Sequence, residues 1–229
     1  MLIFGAELTA RPGKGGALAA QVSAVRDAAA GATGQAWWAW AVVAGRPYGS
    51  FMVSTRFDGV AGLVAGQQAA AASPEFQAAA RGILGDLATG PAVTTTSSVV
   101  AMTGEPSAPK KFIVVTQALV NGGRMADALA WSGRVSEHIK SVTGVDVLLA
   151  SSMAGTIGQI GFIAGVDTAA EVDDVNAALA ADATYLGTSV EAGDLLVTGS
   201  TDRVIAMQMD EATAEHISRL GASTEPANG

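Results

Sequence analysis

The residues of this chain best suited to chemistry are aromatic and polar side chains concentrated between positions 37 and 56. Trp37, Trp38 and Trp40 lie in one short segment, which is followed by Tyr48 and Arg56. A few polar groups among large apolar side chains are the usual composition of a small-molecule pocket. This segment therefore predicts a binding site for a small apolar or aromatic compound.

Other kinds of site have little support in the sequence. The chain has no cysteine, which excludes disulfides, thiolate zinc sites, iron–sulfur clusters and a cysteine nucleophile. A metal site needs clustered ligands, but the chain has only two histidines: His138, expected on the flank of a helix near Glu137, and His216, in the C-terminal segment. Glu171, Asp173 and Asp174 are expected to open a helix, where carboxylates stabilise the helix dipole. We therefore expect no metal and no cofactor.

The composition and charge of the 229-residue chain restrict its partners. Apolar residues make up 49% of the chain, and its net charge is −8. Residues 1–109 carry six basic and six acidic side chains, whereas residues 110–229 carry seven and fifteen. An acidic chain without a basic patch is repelled by phosphate backbones, so no nucleic-acid partner is expected. No secretory signal or long apolar run is evident, so we expect a cytoplasmic protein without a membrane partner.

The chain contains an internal repeat of about 110 residues. Glycines that border β-like runs recur at offsets of 110, 110, 109 and 108 positions: Gly34 and Gly144, Gly45 and Gly155, Gly49 and Gly158, and Gly85 and Gly193. A linker with two prolines spans residues 104–109. The sequence thus predicts a first unit at 1–103, a second unit at 110–210 and a C-terminal extension at 211–229.

Hydrophobic periodicity predicts the same order of elements, βαββ(α)αβ, in both units. In the first unit we predict strands at 2–9, 35–43, 48–56 and 91–102, and helices at 14–30, 59–71 and 74–84. In the second unit we predict strands at 112–119, 145–151, 157–164 and 195–208, and helices at 124–142, 168–181 and 182–190. This order is typical of the ferredoxin-like α+β fold.

The element order and one local motif resemble the dimeric α+β barrel superfamily. Its members include antibiotic-biosynthesis monooxygenases, stress-responsive A/B barrel proteins, chlorite dismutases and haem-degrading oxygenases. The motif is the tryptophan-rich hairpin at 37–57, which contains Gly-Arg-Pro-Tyr-Gly-Ser-Phe at 45–51 and enters a helix through Asp58-Gly59. The resemblance implies two antiparallel sheets that pair face to face as a barrel, here as a pseudo-dimer within one polypeptide.

Side chains alternate across a strand, so aligning the two halves separates helix-facing positions from barrel-facing positions. An offset of 110 pairs Trp37 with Val147, in an apolar row, so Trp37 is expected to face the helices. Trp38 and Trp40 are then expected to point into the barrel. The other expected interior side chains are polar or aromatic: Glu7, Tyr48, Arg56, Gln117 and Gln159.

Two functional hypotheses follow. The resemblance implies a small-molecule-binding barrel, with cofactor-independent monooxygenase or isomerase activity on an apolar or aromatic compound. Its site would belong mainly to the first unit, because Leu148 and Ala150 replace Trp38 and Trp40 in the second. The alternative is a non-catalytic structural or assembly protein in which these tryptophans only pack the barrel. Either hypothesis allows a homo-oligomer.

Overall fold

A computed structural model of the chain describes residues 1–83, 88–210, 213 and 217. In the first repeat the elements are β1 (Leu2–Thr9), α1 (Gly15–Thr33), β2 (Trp37–Ala44), β3 (Ser50–Phe57), α2 (Val60–Ala72), α3 (Pro74–Ile83) and β4 (Val93–Met102). In the second they are β5 (Phe112–Leu119), α4 (Met125–Thr143), β6 (Val147–Ala154), β7 (Gln159–Val166), α5 (Ala169–Ala181), α6 (Ala183–Leu195) and β8 (Asp202–Gln208).

The eight strands form one closed barrel in the order β1-β3-β2-β8-β5-β7-β6-β4. The predicted fold, α+β with two tandem ferredoxin-like units, is therefore confirmed. By compactness the chain divides into two units, Met1–Thr96 with the chain from Met207 onward, and Ser97–Ala206. Both boundaries fall inside strands, β4 and β8. Among the described residues, no helix is long and apolar enough to cross a membrane.

The duplication is visible in the strand registers. Within the first unit β3 pairs antiparallel with both β1 and β2, and within the second β7 pairs in the same way with β5 and β6. Glu7 lies opposite Met52, and Gln117 lies opposite Gly161 at the equivalent position. A slip of one residue would turn every side chain to the other face, so equal registers give both sheets the same sorting of faces.

The long helices α1 and α4 occupy equivalent positions and end in the same way. Each has 19 residues and stops at a glycine, Gly34 or Gly144, with left-handed φ angles of 67° and 73°. The glycine N–H donates to Ala30 O at 2.9 Å in one unit and to Lys140 O at 2.8 Å in the other. An L side chain is strained in this conformation, which explains glycine at both helix ends.

Trp37 belongs to the core between α1 and the first sheet, as predicted. Its Nε1 donates a hydrogen bond to Thr33 Oγ1 at the end of α1, at 3.0 Å. Its ring makes edge contacts with Phe4 and Phe57, with centroids 5.9 and 6.5 Å apart. The same core buries apolar side chains of α1, β1, β2 and β3: Leu8, Leu18, Val22, Val25, Ala39, Phe51 and Val53.

The second unit has a separate core built around Trp131 of α4. The indole Nε1 donates to Thr188 O of α6 at 3.1 Å, which satisfies the only polar atom of a buried ring. Its ring meets Phe162 of β7 edge-on, with centroids 6.0 Å apart. Val135 and Ile160 are buried in the same cluster. The helix-facing side of each unit is therefore mainly apolar, with Thr55 buried in the first unit and Ser132 and Ser136 buried on α4 of the second, and the residues that fill it differ.

Helix α2 packs on the first sheet through a close contact between Gly66 and Phe57. A Cβ added at Gly66 would lie 2.7 Å from the Phe57 ring, so only glycine fits while the phenylalanine is present. Val175 and Val166 occupy the equivalent positions in the second unit and pack in one cluster. The first unit thus pairs a small helix residue with a large strand residue, whereas the second unit pairs two residues of intermediate size. The total volume at the contact is similar, as close-packed interiors require.

The largest differences from the predicted elements are at β8 and α6, and some predictions fall outside the described residues. The strand predicted at 195–208 begins only at Asp202, because α6 continues to Leu195 and Gly199, with φ 75°, lies in a turn. Helix α6 extends beyond the predicted 182–190 to Leu195, and Asp182 caps its start by accepting from Tyr185 N at 2.6 Å. The predictions on Gly85, on His216 and on most of 211–229 lie outside the described residues.

The end of β4 is tied to β6 within the second unit. Thr103 N donates to Val147 O at 3.1 Å, and Thr103 Oγ1 accepts from Val147 N at 2.9 Å. Lys140 donates to the Thr103 carbonyl and lies 2.8 Å from Asp146 Oδ1. The hydrogen bond from Lys140 lowers the pKa of Asp146 from its ordinary value. Desolvation of the carboxylate opposes this shift, and the positive charge of Lys140 adds to it. All four residues of this cluster belong to the second unit.

Replacing Gly34 by alanine should destabilise the protein by about 1–2 kcal/mol, because an L residue is strained in the left-handed region. Gly31, inside α1 with no atom within 4 Å of an added Cβ, provides the matched control. Gly31→Ala should stabilise by about 0.5–1 kcal/mol, since alanine loses less entropy in a helix. Thermal unfolding of both variants tests this, and equal effects would contradict the assigned helix end.

The Asp146 contact should give a defined pH dependence. A carboxyl group with a lowered pKa stabilises the fold above its ordinary pKa, and this contribution is lost as pH falls through the lowered value. Asp146→Asn should therefore reduce the melting temperature at neutral pH, and the difference from the parent should disappear as pH falls through the lowered pKa of Asp146. A difference that stays constant through the acid range would show that the charge contributes nothing.

Candidate functional site

The candidate site lies on the distal face of the first unit's sheet, which we define as the side away from α1. It carries side chains that alternate with the buried core residues of the same strands: Glu7 from β1, Trp38 and Trp40 from β2, and Met52, Ser54 and Arg56 from β3. The strand registers set Trp38 opposite Ser54, and both Trp40 and Glu7 opposite Met52. Alternation alone thus brings most of the predicted first-unit residues to one surface.

Trp38 and Arg56 form a stacked pair on this face. The guanidinium carbon of Arg56 lies 5.5 Å from the centroid of the Trp38 ring, which is a cation–π arrangement. Burial lowers the pKa of Arg56 from its ordinary value, although a guanidinium remains charged throughout the accessible pH range. A partly desolvated cation interacts more strongly with an anion than one in water does. The pair therefore combines an aromatic surface with a positive charge.

Trp40 differs from Trp38 because it is committed to packing. Only 1% of Trp40 is exposed, and its Nε1 donates to Ser54 Oγ at 2.9 Å. The indole N–H of Trp40 is thus already satisfied by the protein. We assign Trp40 to holding the neighbouring strand positions in place, which agrees with the packing role considered for it from the sequence.

Glu7 is held by an arginine that the sequence analysis missed. Arg46 lies in the turn between β2 and β3, and its Nε is 3.0 Å from Glu7 Oε1. Its Nη1 also donates to Gly45 O at 2.8 Å. The contact forms because β3 pairs with both β1 and β2, which brings the turn back towards β1. The only indication of this contact in the sequence was an arginine in a predicted turn together with a carboxylate on a predicted strand.

The prediction that Tyr48 points into the barrel is wrong. Its side chain is 98% exposed. Strand β3 begins only at Ser50, whose N–H donates to Pro47 O at 3.2 Å across a turn, and Gly49 has a φ of 80°. Tyr48 therefore precedes the strand, so the alternation of strand side chains does not apply to it.

The predicted polar residues of the second unit lie on adjacent strands, with Gln159 diagonal to Gln117, because Gln117 is opposite Gly161. Gln117 Nε2 donates to Asp202 Oδ2 at 3.0 Å, a contact with β8 that the sequence did not indicate. Gln159, at the first position of β7, pairs with Leu119 at the end of β5. Gln117 and Gln159 thus lie on the strands predicted for them, and the structure shows no hydrogen bond between the two side chains.

The equivalent face of the second unit lacks the aromatic and cationic pair. The duplicated registers set Leu148 at the position of Trp38 and Gly165 at the position of Arg56. Gly165 instead leaves room for Lys110, since an added Cβ would lie 3.1 Å from the lysine side chain. Equivalent strand positions of the two units thus carry different side chains on this face.

The remaining titratable residues singled out in the sequence make helix contacts. His138 Nε2 lies 2.8 Å from Asp182 Oδ1, and this hydrogen bond is the main cause that lowers the pKa of Asp182. Glu171 accepts from Asp167 N at 2.8 Å while its own N–H donates to Thr168 Oγ1, so the two side chains satisfy backbone N–H groups at the start of α5. Within the described residues, no three His, Asp or Glu side chains are placed to hold a metal ion.

Comparisons with known proteins define the fold. No protein-family model matches the sequence, and no curated protein sequence matches it significantly. Proteins each named a putative monooxygenase, from Fusobacterium nucleatum subsp. nucleatum ATCC 25586 and from Lactobacillus acidophilus NCFM, superpose with TM-scores of 0.69 and 0.59 at 8% and 11% identity. The comparison covers 91% and 90% of this chain and 92% and 93% of theirs.

An anthrone oxidase-like protein gives a TM-score of 0.62 at 15% identity over 91% of both chains. Such identities show the fold alone. The fold is the dimeric α+β barrel, present here with both halves in one polypeptide, as the sequence predicted.

Replacing Trp40 by alanine should destabilise the protein by about 3–5 kcal/mol, because it removes a buried ring and leaves a cavity. Ser54→Ala should cost about 1–3 kcal/mol, because the indole N–H loses its acceptor. Tyr48→Ala, at an exposed turn position, should change stability by less than about 0.5 kcal/mol. Chemical unfolding measures all three, and a large effect of Tyr48→Ala would refute its exposed placement.

Proposed function

We propose that the distal face of the first unit binds a small, planar, largely apolar compound that carries an acidic or enolisable group. We further propose that the protein is a cofactor-independent monooxygenase acting on that compound. The observation that carries this proposal is the half-buried Arg56 guanidinium stacked 5.5 Å from the Trp38 ring.

The Trp38–Arg56 pair offers two interactions that one ligand can use together. An aromatic ligand gains about 0.5–1.5 kcal/mol from ring contact beyond the burial of its area. An enolate or phenolate oxygen gains from the guanidinium, and hydrogen bonds to charged groups contribute about 1.5–3 kcal/mol. Arg56 would thereby lower the pKa of the bound compound and favour its carbanion form.

Such a carbanion is sufficient for oxygenation without a cofactor. A methylene group conjugated with a carbonyl loses a proton to solvent, and the resulting carbanion passes electrons to dioxygen, the oxidant. The methylene then becomes a carbonyl, with one oxygen atom incorporated and the other released as water. The protein's contribution in this scheme is electrostatic stabilisation of the charge that develops on the substrate oxygen. If the carbanion is instead reprotonated at another carbon, the outcome is isomerisation.

Three further observations support the proposal. The second unit has Leu148 and Gly165 at the matching positions, and a symmetric packing role would not require such divergence. Glu7 and Arg46 provide a polar boundary beside Met52 on the same surface. The similar structures include two proteins named putative monooxygenase and an anthrone oxidase-like protein, which makes anthrone the first compound to test.

Trp38→Leu, which copies the residue of the second unit, should weaken anthrone binding by about tenfold to a hundredfold. Arg56→Gln should lower turnover by about tenfold or more, because it removes the charge that stabilises the carbanion. Binding is measured by quenching of tryptophan fluorescence, and turnover by oxygen consumption with product absorbance. Tyr48→Ala and Arg81→Gln, at exposed positions, are the matched controls and should leave both unchanged.

The outcomes separate binding from chemistry. Binding that depends on Trp38 without oxygen consumption would keep the binding site and refute the monooxygenase. Compounds that bind equally well to the parent and to both site variants would refute the site. If Trp38→Leu lowers only the melting temperature and no aromatic ketone or phenol binds, the non-catalytic alternative is the better description.

A further inference from the structure

Helix α2 presents an apolar surface that no described residue of its own unit covers. Its 13 residues include no charged side chain. Val60 and Val64 are 54% and 44% exposed, and they lie one turn apart on the outward side. Ala61, Ala65, Gln68 and Ala72 are exposed beside them. We call this stripe of six residues the outer α2 stripe.

The inward side of α2 already has its packing partners. Ala70 is buried, and Gly66 lies so close to the Phe57 ring that an added Cβ would be 2.7 Å away. The helix therefore cannot rotate to bury the outer stripe without losing this contact. The exposure of Val60 and Val64 is a fixed property of the folded unit.

The duplicated helix α5 shows what the same position looks like when it faces water. It also has 13 residues, and it buries Val172 and Leu179 on its inward side. At the positions equivalent to Val64 and Ala65 it carries Asp173 and Asp174, both exposed. One copy of this surface is thus acidic and the other apolar, although the helices have equal length and orientation on their sheets. Solubility alone does not account for the apolar copy.

We propose that the outer α2 stripe is the docking surface for a second copy of this chain, with two α2 helices packed against each other about a two-fold axis. The charge distribution identifies the partner. Each chain has a net charge of −8, and residues 1–109 are balanced while residues 110–229 carry the excess. Two like-charged copies repel least when they meet through an uncharged helix of the balanced half.

The composition of the stripe suits an isologous contact. In a two-fold interface each residue meets its own surface, so an uncharged stripe has no like charges to oppose one another. The alanines permit close approach of the helices, and the Gln68 amide, with both donors and an acceptor, can pair with its symmetry mate. Because α2 is only about 20 Å long, the contact is at the small end of specific interfaces and the dimer should dissociate on dilution.

The test is the oligomeric state of the full chain, measured by sedimentation at several concentrations. The parent should show a reversible monomer–dimer equilibrium. Val64→Asp, which copies Asp173 of the second unit, should raise the dimer dissociation constant by at least about tenfold, since it sets like charges in an apolar contact. Ala65→Asp, which copies Asp174, should act in the same direction. Circular dichroism and the melting temperature confirm that each variant folds.

Val190→Asp is the matched control, because Val190 is 81% exposed on α6 and the substitution adds the same charge. It should leave the dissociation constant unchanged. A monomeric parent at all concentrations, or a dimer that Val64→Asp and Ala65→Asp leave intact, would overturn the proposal. A dimer broken by Val190→Asp but not by the α2 variants would place the interface on α6 and overturn it as well.

Discussion

The arrangement of the distal face depends on the register in which β3 pairs with β1 and β2. Strand β3 lies between the two others, so one registration decides which of its side chains meet helix α1 and which face away. Phe51 and Val53 anchor that register, because both are buried in the core below α1. Arg56 and Ser54 then have only one side left to occupy. Burial on one face thus positions the side chains of the other, including those of the proposed site.

Duplication left the two faces of each sheet under different constraints. On the helix side, both copies retain a filled apolar core, although Trp37 anchors one and Trp131 the other. On the distal face, equivalent positions carry different side chains: Trp38 in the first unit corresponds to Leu148 in the second, and Arg56 corresponds to Gly165. The outer surface of the second helix diverged as well. A packed core must keep its total side-chain volume. Positions on the other face are constrained only by the backbone geometry and can accept side chains of different chemistry.

The sequence was sufficient to predict the fold, because the repeat supplied each element twice and alternation sorted Trp37 from Trp38. It failed where a local conformation or a distant neighbour decides the outcome. Tyr48 was assigned to a strand, but a turn with left-handed Gly49 delays that strand by two residues. Arg46 and Asp202 contact the predicted residues through pairing between strands far apart in sequence, which periodicity does not encode.

The contact between Gly66 and Phe57 restricts the order in which this chain can change. A methyl group at position 66 would collide with the aromatic ring, whereas a smaller residue at position 57 would leave only a cavity. A lineage that moves from the glycine–phenylalanine pair towards the Val175–Val166 arrangement must therefore shrink the sheet residue before it enlarges the helix residue. The two halves are no longer exchangeable one residue at a time, and chimeras should transfer the helix together with its strand.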